Sequence, residues 1–167
     1  VTAGAACTVL TASKYINNDE PLLLANSDQF VETDINDFLT SASKNDNDGL
    51  IMSFKANHPK WSYARTLPES TKVVEVAEKK VISDNSTVGI YYFKRGKNFV
   101  DAAQGMIEKN IRYNNEFYIC PVYNELILKD LDVHIHAMPQ GKMHGLGTPE
   151  DLESFLKKIC AGQIKLA

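Results

Sequence analysis

Three features of the sequence predict an α/β fold. The first is a continuous apolar run, Leu22-Leu23-Leu24-Ala25, that follows Pro21 and stops at Asn26-Ser27-Asp28. A short unbroken run bounded by turn residues suits a strand buried on both faces, as in a parallel sheet. The second is the alternation of β-rich runs with stretches whose apolar residues recur at helical spacing. The third is the turn and cap chemistry at the junctions between them.

Taken in order, residues 3–16 read as a helix, because Ala3, Ala5, Ala6, Leu10 and Ala12 favour one. Gly4 near its start either admits a ligand close to the backbone or simply packs. The polar turn Asn17-Asn18-Asp19-Glu20-Pro21 leads into the Leu22 strand. Asp34 is placed to cap a helix over Ile35–Asn45, whose Ile35, Phe38, Leu39 and Ala42 share one face. Asn45-Asp46-Asn47-Asp48-Gly49 reads as a solvated turn, since it lacks the acidic residue that closes a calcium loop. Leu50–Phe54 is the next strand.

The segment Asn57–Tyr63 is polar and aromatic. Trp61 and Tyr63 either cover the sheet edge or line a ligand cleft, and nothing local decides between the two. Val73–Ala77, Val81-Ile82 and Thr87–Phe93 are β-rich, with a turn at Ser83–Ser86. Gly89 inside the last run marks a bulge or a close backbone approach. Asn98–Asn110 is helical, with Phe99, Ala103, Met106 and Ile107 on one face, and a short helix follows Pro121. Val133–Met138 alternates strictly, so His134 and His136 point the same way, as a metal pair or on a wet sheet face. The last helix starts at Thr148-Pro149-Glu150-Asp151, a cap, a first-turn proline and two acids. Leu152, Phe155, Leu156 and Ile159 are its expected buried face, and Gly145 and Gly147 before it allow backbone to approach a ligand.

A length of 167 residues predicts one domain over 1–167. Net charge of −3 gives no electrostatic footprint for nucleic acid. No apolar stretch approaches the ~20 residues that span a bilayer. Cys7, Cys120 and Cys160 are odd in number and far apart, which favours a reducing, cytoplasmic compartment and small buried thiols over disulfides or zinc.

A carboxylate at a strand end in such a sheet either holds a divalent cation beside phosphate oxygens or caps the next turn, since Asn, Ser and Asp are all turn formers. Asp28 has that position. Further motifs fall in order around it: Gly4-Ala5-Ala6 opening a helix, Asp28, Glu78-Lys79, Val88-Gly89-Ile90-Tyr91, then Gly147-Thr148-Pro149. As an ordered set these resemble the nucleotidyltransferases that join a nucleoside triphosphate to a sugar 1-phosphate and release pyrophosphate. The bacterial branch associated with capsule and surface-sugar synthesis is the most similar. The resemblance covers nearly the whole chain. It implies a three-layer sandwich with a mixed, mostly parallel sheet, a Rossmann-like (GT-A-like) nucleotidyltransferase fold that is N-terminally incomplete.

The resemblance also implies roles. Asp28 and Lys79 are catalytic, Asp28 by binding Mg²⁺ and Lys79 by contacting the sugar phosphate. Gly4 and Ala5 lie against the base. Glu78 hydrogen-bonds sugar hydroxyls. Ser62, Tyr63 and Ala64 border the sugar pocket, and Thr87, Val88 and Gly89 form its wall with Tyr91 behind. Two departures stand out. The family's Gly-rich triphosphate loop has no counterpart in these residues, so the chain by itself is expected to be inactive and, with strands missing, to self-associate as a homo-oligomer. Many relatives also carry a second metal-binding aspartate where this chain has Gly145, preceded by His144. Two other readings remain: a non-catalytic nucleotide- or sugar-phosphate-binding module, and a glycosyltransferase, whose usual Asp-X-Asp is here Asn26-Ser27-Asp28.

Overall fold

A computed structural model describes residues 1–164. In chain order the elements are α1 (Ala5–Leu10), α2 (Ser13–Ile16), β1 (Leu22–Ala25), β2 (Gln29–Val31), α3 (Ile35–Lys44), β3 (Gly49–Lys55), β4 (Tyr63–Thr66), β5 (Val73–Ala77), β6 (Asn85–Phe93), α4 (Gly96–Glu108), α5 (Val122–Ile127), β7 (Val133–Ala137), β8 (Met143–Gly145) and α6 (Pro149–Cys160). The predicted first helix is therefore split in two, and Val81-Ile82 lies in a turn rather than a strand.

The main sheet runs β5-β4-β6-β3-β7, with β1 also paired to β6. It is mixed, as expected, but it is not mostly parallel. Among the described strands only β3 and β7 run parallel, and every other pair in this sheet is antiparallel. The reason is β6, which lies at the centre and opposes β1, β3 and β4 alike. The Leu22 run also departs from its expected burial. Leu22 and Leu24 face the core, whereas Leu23 on the other face is 39% exposed. An unbroken apolar run here marks a half-covered strand on β6, not one buried on both faces.

Helices cover both faces, which makes three layers. Period-two alternation assigns each strand residue to a face. Ile51, Tyr91 and Phe93 join the core under α4 and α5, with Phe99, Met106, Tyr123 and Leu126. Leu50, Met52, Val88, Ile90 and Tyr92 join the opposite core, with Phe38 and Ala42 of α3. The Asp34 cap forms as predicted, accepting from the Asn36 N–H at 2.8 Å. So does the Thr148 cap, which accepts from the Asp151 N–H at 3.1 Å. The face of α6 departs from expectation. Phe155 is buried, stacking at 5.2 Å on Phe30 of the β2–β8 ribbon, but Leu152 and Leu156 are 44% and 50% exposed. The ribbon is only three residues wide on each strand and covers a single ring of the stripe. Cys120 is buried as expected, whereas Cys160 is exposed near the end of α6.

The His134–His136 pair resolves to a sheet face. His134 is held by Thr71 Oγ1 at 2.8 Å and Asp132 at 3.0 Å, and His136 packs edge-on to Phe38. Asn47 is buried, so its turn is less solvated than predicted, and Asp48 Oδ2 accepts from the Asp132 N–H.

Tyr123 ties the layers together. Its ring stacks on Phe93 at 4.6 Å, and its hydroxyl donates to the carbonyl of Tyr92 at 2.9 Å. Replacing Tyr123 with Phe keeps the ring and removes that buried donor. The expected loss is about 1–2 kcal/mol, seen as a lower urea midpoint with an unchanged slope.

Candidate active site

The site starts from a fork in the sheet. β1 and β4 both pair with β6, β4 at Ser86 and β1 from Ile90 onward. Between those contacts lie Thr87, Val88 and Gly89. They floor a cavity of about 870 Å³, which is the size of a small-molecule site. Gly89 explains the fork. Its φ of +90° is hostile to a side chain, and a Cβ there would meet Asn26 Nδ2 at 2.5 Å and Gln29 Oε1 at 3.0 Å. The register of β3 against β6 slips at the same place, between Ile51 and Ser53, so the bulge read from Gly89 is present.

Most of the residues singled out by sequence converge here. Ala5, Asp28, Ser62, Glu78, Lys79, Thr87, Val88, Gly89 and Tyr91 all line the cavity. Gly4, Tyr63 and Ala64 do not. Gly4 packs closely on a neighbouring segment: a Cβ on it would lie 2.6 Å from the backbone N and O of Phe117. Tyr63 and Ala64 are fully buried behind Ser62, with the Tyr63 hydroxyl donating to the His58 carbonyl.

Asp28 sits in the turn between β1 and β2. Its carbonyl accepts from the Leu146 N–H at 2.7 Å, which pins the turn against the end of β8. Gly147 leaves open the space beside its carboxylate, where a Cβ would come within 2.8 Å of Oδ2. Asp28 makes no side-chain hydrogen bond or ion pair among the described residues. Such a free, hard carboxylate beside an open cradle fits Mg²⁺, which typically takes one or two protein carboxylates plus substrate phosphates. No group of three His, Cys, Asp or Glu side chains able to hold a metal occurs among the described residues. His144 is turned away, buried against Phe155 and paired with Glu32 at 2.9 Å. The carboxylate beside Gly145 is instead that of Asp151, 3.5 Å from where a Cβ would stand.

Glu78 and Lys79 occupy the turn after β5. Burial pushes the Glu78 carboxyl above its ordinary value, opposed by Ser62, whose hydroxyl donates to Oε2 at 2.6 Å, and by Lys79. Burial pushes the Cys120 thiol well up, so it stays protonated. It pushes Tyr91 well up too, and the Tyr91 hydroxyl lies 3.0 Å from Thr87 Oγ1.

Sequence reasoning missed several wall residues: Asn26, Gln29, Lys60, Tyr118 and Asp151. Asp151 was legible only as a first-turn acid of α6. Trp61, left open between edge cover and cleft, lines the cavity, its ring edge-on to Phe54 at 5.4 Å and under the Lys60 ammonium at 4.6 Å.

No protein-family model and no curated protein matches the chain. Solved structures do. A nucleoside-diphosphate-sugar pyrophosphorylase from Vibrio cholerae RC9 is 30% identical over 93% of this chain and 66% of its own, with a TM-score of 0.77. A UDP-glucose pyrophosphorylase complexed with UDP-glucose is 17% identical over 95% of this chain and 64% of its own, with a TM-score of 0.76. The apo form of a UDP-glucose pyrophosphorylase matches at 16% identity, with a TM-score of 0.76. The last two show the fold alone. The chain spans just under two thirds of the length of these structures. Its structural neighbours are thus nucleotide-sugar pyrophosphorylases, and its α/β fold with a mixed sheet is the nucleotidyltransferase fold.

Glu78 yields a stability test. Its folded value lies above its unfolded one. The folded state therefore resists ionisation, and the penalty is absent below the unfolded value and full above the folded one. Glu78→Gln retains an acceptor for Ser62 and removes that penalty. The variant is expected to melt at a higher temperature than the parent at pH 7, with the gain fading towards pH 4 in a thermal scan series.

Proposed function

We propose that this chain carries the sugar-phosphate side of an enzyme that transfers a nucleoside monophosphate from a nucleoside triphosphate to a sugar 1-phosphate. The observation that carries the reading is the convergence of Asp28 from one turn and Glu78 and Lys79 from another on one cavity. The 30% identity to a nucleoside-diphosphate-sugar pyrophosphorylase supports the same reaction class. The sequence resemblance supports a destination in surface-polysaccharide synthesis, and the odd, scattered cysteines support a reducing, cytoplasmic setting.

In the reaction a phosphate oxygen of the sugar 1-phosphate attacks the α-phosphorus of the triphosphate. A new phosphorus–oxygen bond forms, the bond to the β-phosphate oxygen breaks, and pyrophosphate leaves with that electron pair. No covalent enzyme intermediate is needed, so the protein's task is positioning and charge neutralisation. Lys79 brings a positive charge to the attacking phosphate. Glu78, fixed by Ser62, accepts from sugar hydroxyls and orients the ring. Thr87, Val88 and Gly89 bound the sugar from below, and Ala5 of α1 flanks the nucleotide end. Asp28 would hold Mg²⁺, which when bound neutralises phosphate charge.

Pyrophosphate release from the whole gene product, with Mg²⁺ and a panel of triphosphates and sugar 1-phosphates, tests the proposal. Asp28→Ala is expected to lower kcat about 100-fold or more, in line with the loss of one charge-stabilising group. Gly147→Ala is expected to lose activity in the same direction, because its Cβ would crowd the Asp28 carboxylate from 2.8 Å. Full activity in Asp28→Ala would overturn the proposal.

A further inference from the structure

Lys79 is held in an unusual way. Its φ of +49° lies in the left-handed region, which non-glycine residues adopt mainly where the surroundings impose it. Its ammonium donates to the Tyr118 hydroxyl at 3.3 Å. It also lies 4.9 Å from the centre of the Tyr118 ring and 5.5 Å from that of Tyr113. No carboxylate pairs with it among the described residues.

The two rings are themselves built into the backbone. Tyr113 and Glu116 exchange both backbone hydrogen bonds, at 3.0 and 2.9 Å, around Asn114 and Asn115. Both asparagines have positive φ, 48° and 65°, which defines a tight turn of the type that asparagine tolerates. The segment leaving this turn is locked at Phe117, whose N–H donates to the Ala3 carbonyl and whose carbonyl accepts from the Ala6 N–H. Gly4 permits that contact by having no Cβ. Tyr113 and Tyr118 meet edge-on, with centres 6.3 Å apart. The Asn-Asn turn and the Gly4 contact thus aim both rings at one ammonium.

An aromatic face holds a cation without cancelling its charge. A carboxylate partner would neutralise the ammonium before any phosphate arrived. A free lysine, with four rotatable bonds, would lose more conformational entropy on meeting one. We propose that Tyr118, backed by Tyr113, is a positioning residue that holds the Lys79 ammonium in the cavity with its charge and remaining N–H donors free for the phosphate of a sugar 1-phosphate. The inference rests on the sugar-phosphate reading above. Burial works to lower the Lys79 value, yet the hydrogen bond to Tyr118 and the electrostatic interactions with Tyr118 and then Glu78 outweigh it and raise the amine above its ordinary value.

The test is a double-mutant cycle read by calorimetric binding of the 1-phosphates of glucose, galactose, mannose and N-acetylglucosamine, with the corresponding free sugars as controls. Circular dichroism confirms that each variant is folded. Lys79→Met is expected to weaken 1-phosphate binding about 10-fold or more. Tyr118→Phe, which keeps the ring, is expected to weaken it about 3- to 10-fold, the scale of one ordinary net hydrogen bond. Tyr118→Leu, which removes ring and hydroxyl, is expected to weaken it further, in the range of a lost cation–π contact. In the Lys79→Met background neither Tyr118 change is expected to have a further effect, and free-sugar binding stays unchanged throughout.

Tyr118 effects that persist undiminished without Lys79, or that are absent in its presence, overturn the positioning role and leave the sugar-phosphate reading standing. Lys79→Met binding as tightly as the parent, or no binding of any 1-phosphate by the parent, overturns the reading itself and the inference with it.

Discussion

The bare backbone at Gly89 is the constraint on which the rest of this structure depends. Strand β6 is buried along all nine residues and receives β1, β3 and β4. A continuous antiparallel partner along its whole length would close the sheet and leave no cavity. Instead, the positive φ at Gly89 breaks the run, and the Asn26 and Gln29 side chains fill the space a Cβ would need. The Asn26 N–H then donates to the Gly89 carbonyl at 2.9 Å, and the Thr87 N–H to the Ser62 carbonyl at 2.8 Å. The backbone of the gap is thereby satisfied by the two loops that bring Asp28 and Ser62 to the site. One missing side chain thus sets both the opening and its walls.

The same economy recurs at the other functional groups. Asp28, Glu78 and Lys79 are each held by something other than a direct ion pair, although Lys60 and Asp151 pair across the cavity wall at 3.9 Å. Asp28 is fixed through its own backbone carbonyl and the bare face of Gly147. Glu78 is fixed by a neutral hydroxyl. Lys79 is fixed by two phenol rings. Elsewhere on the surface the pattern reverses, with direct pairs such as Lys55–Asp84 and Arg65–Glu75. An exposed pair contributes little, and its charges are already mutually satisfied. On the proposed reading the site receives a phosphate and a metal, and it gains from charges left unsatisfied, with burial and backbone strain accepted there in return.

How much of this was legible in the sequence divides along physical lines. Local rules worked where local physics decides. Asp34 and Thr148 capped their helices because an N-cap needs only neighbouring N–H groups. Gly89 announced its bulge because a glycine in a β-rich run has few other uses. Strand direction was not legible: Leu22-Leu23-Leu24 carries no mark of whether its neighbour runs with it or against it. Nor was the exposure of Leu152 and Leu156, since helical spacing defines a stripe but not what covers it. At the cavity, Asp28 stood out as a carboxylate at a strand end, whereas Glu78 and Lys79, locally an ordinary surface couple, were singled out only by the ordered set of motifs. Tyr118 and Asp151 were not, because a tyrosine after a turn and an acid in a first helical turn have ordinary explanations that only their placement displaces.

Gly4 shows why placement changes roles. The resemblance sets it against the base, and in the structure the side where a Cβ would stand is taken by the Phe117 backbone. Phe117 lies beside Tyr118, and Tyr118 reaches Lys79. A glycine at the start of the chain therefore bears on a lysine 75 positions later through a backbone approach, a turn and a ring. None of those links is visible as a local pattern, because each consists of a fit between segments distant in sequence. Either role, against a ligand or against the Phe117 backbone, requires that Gly4 stay a glycine.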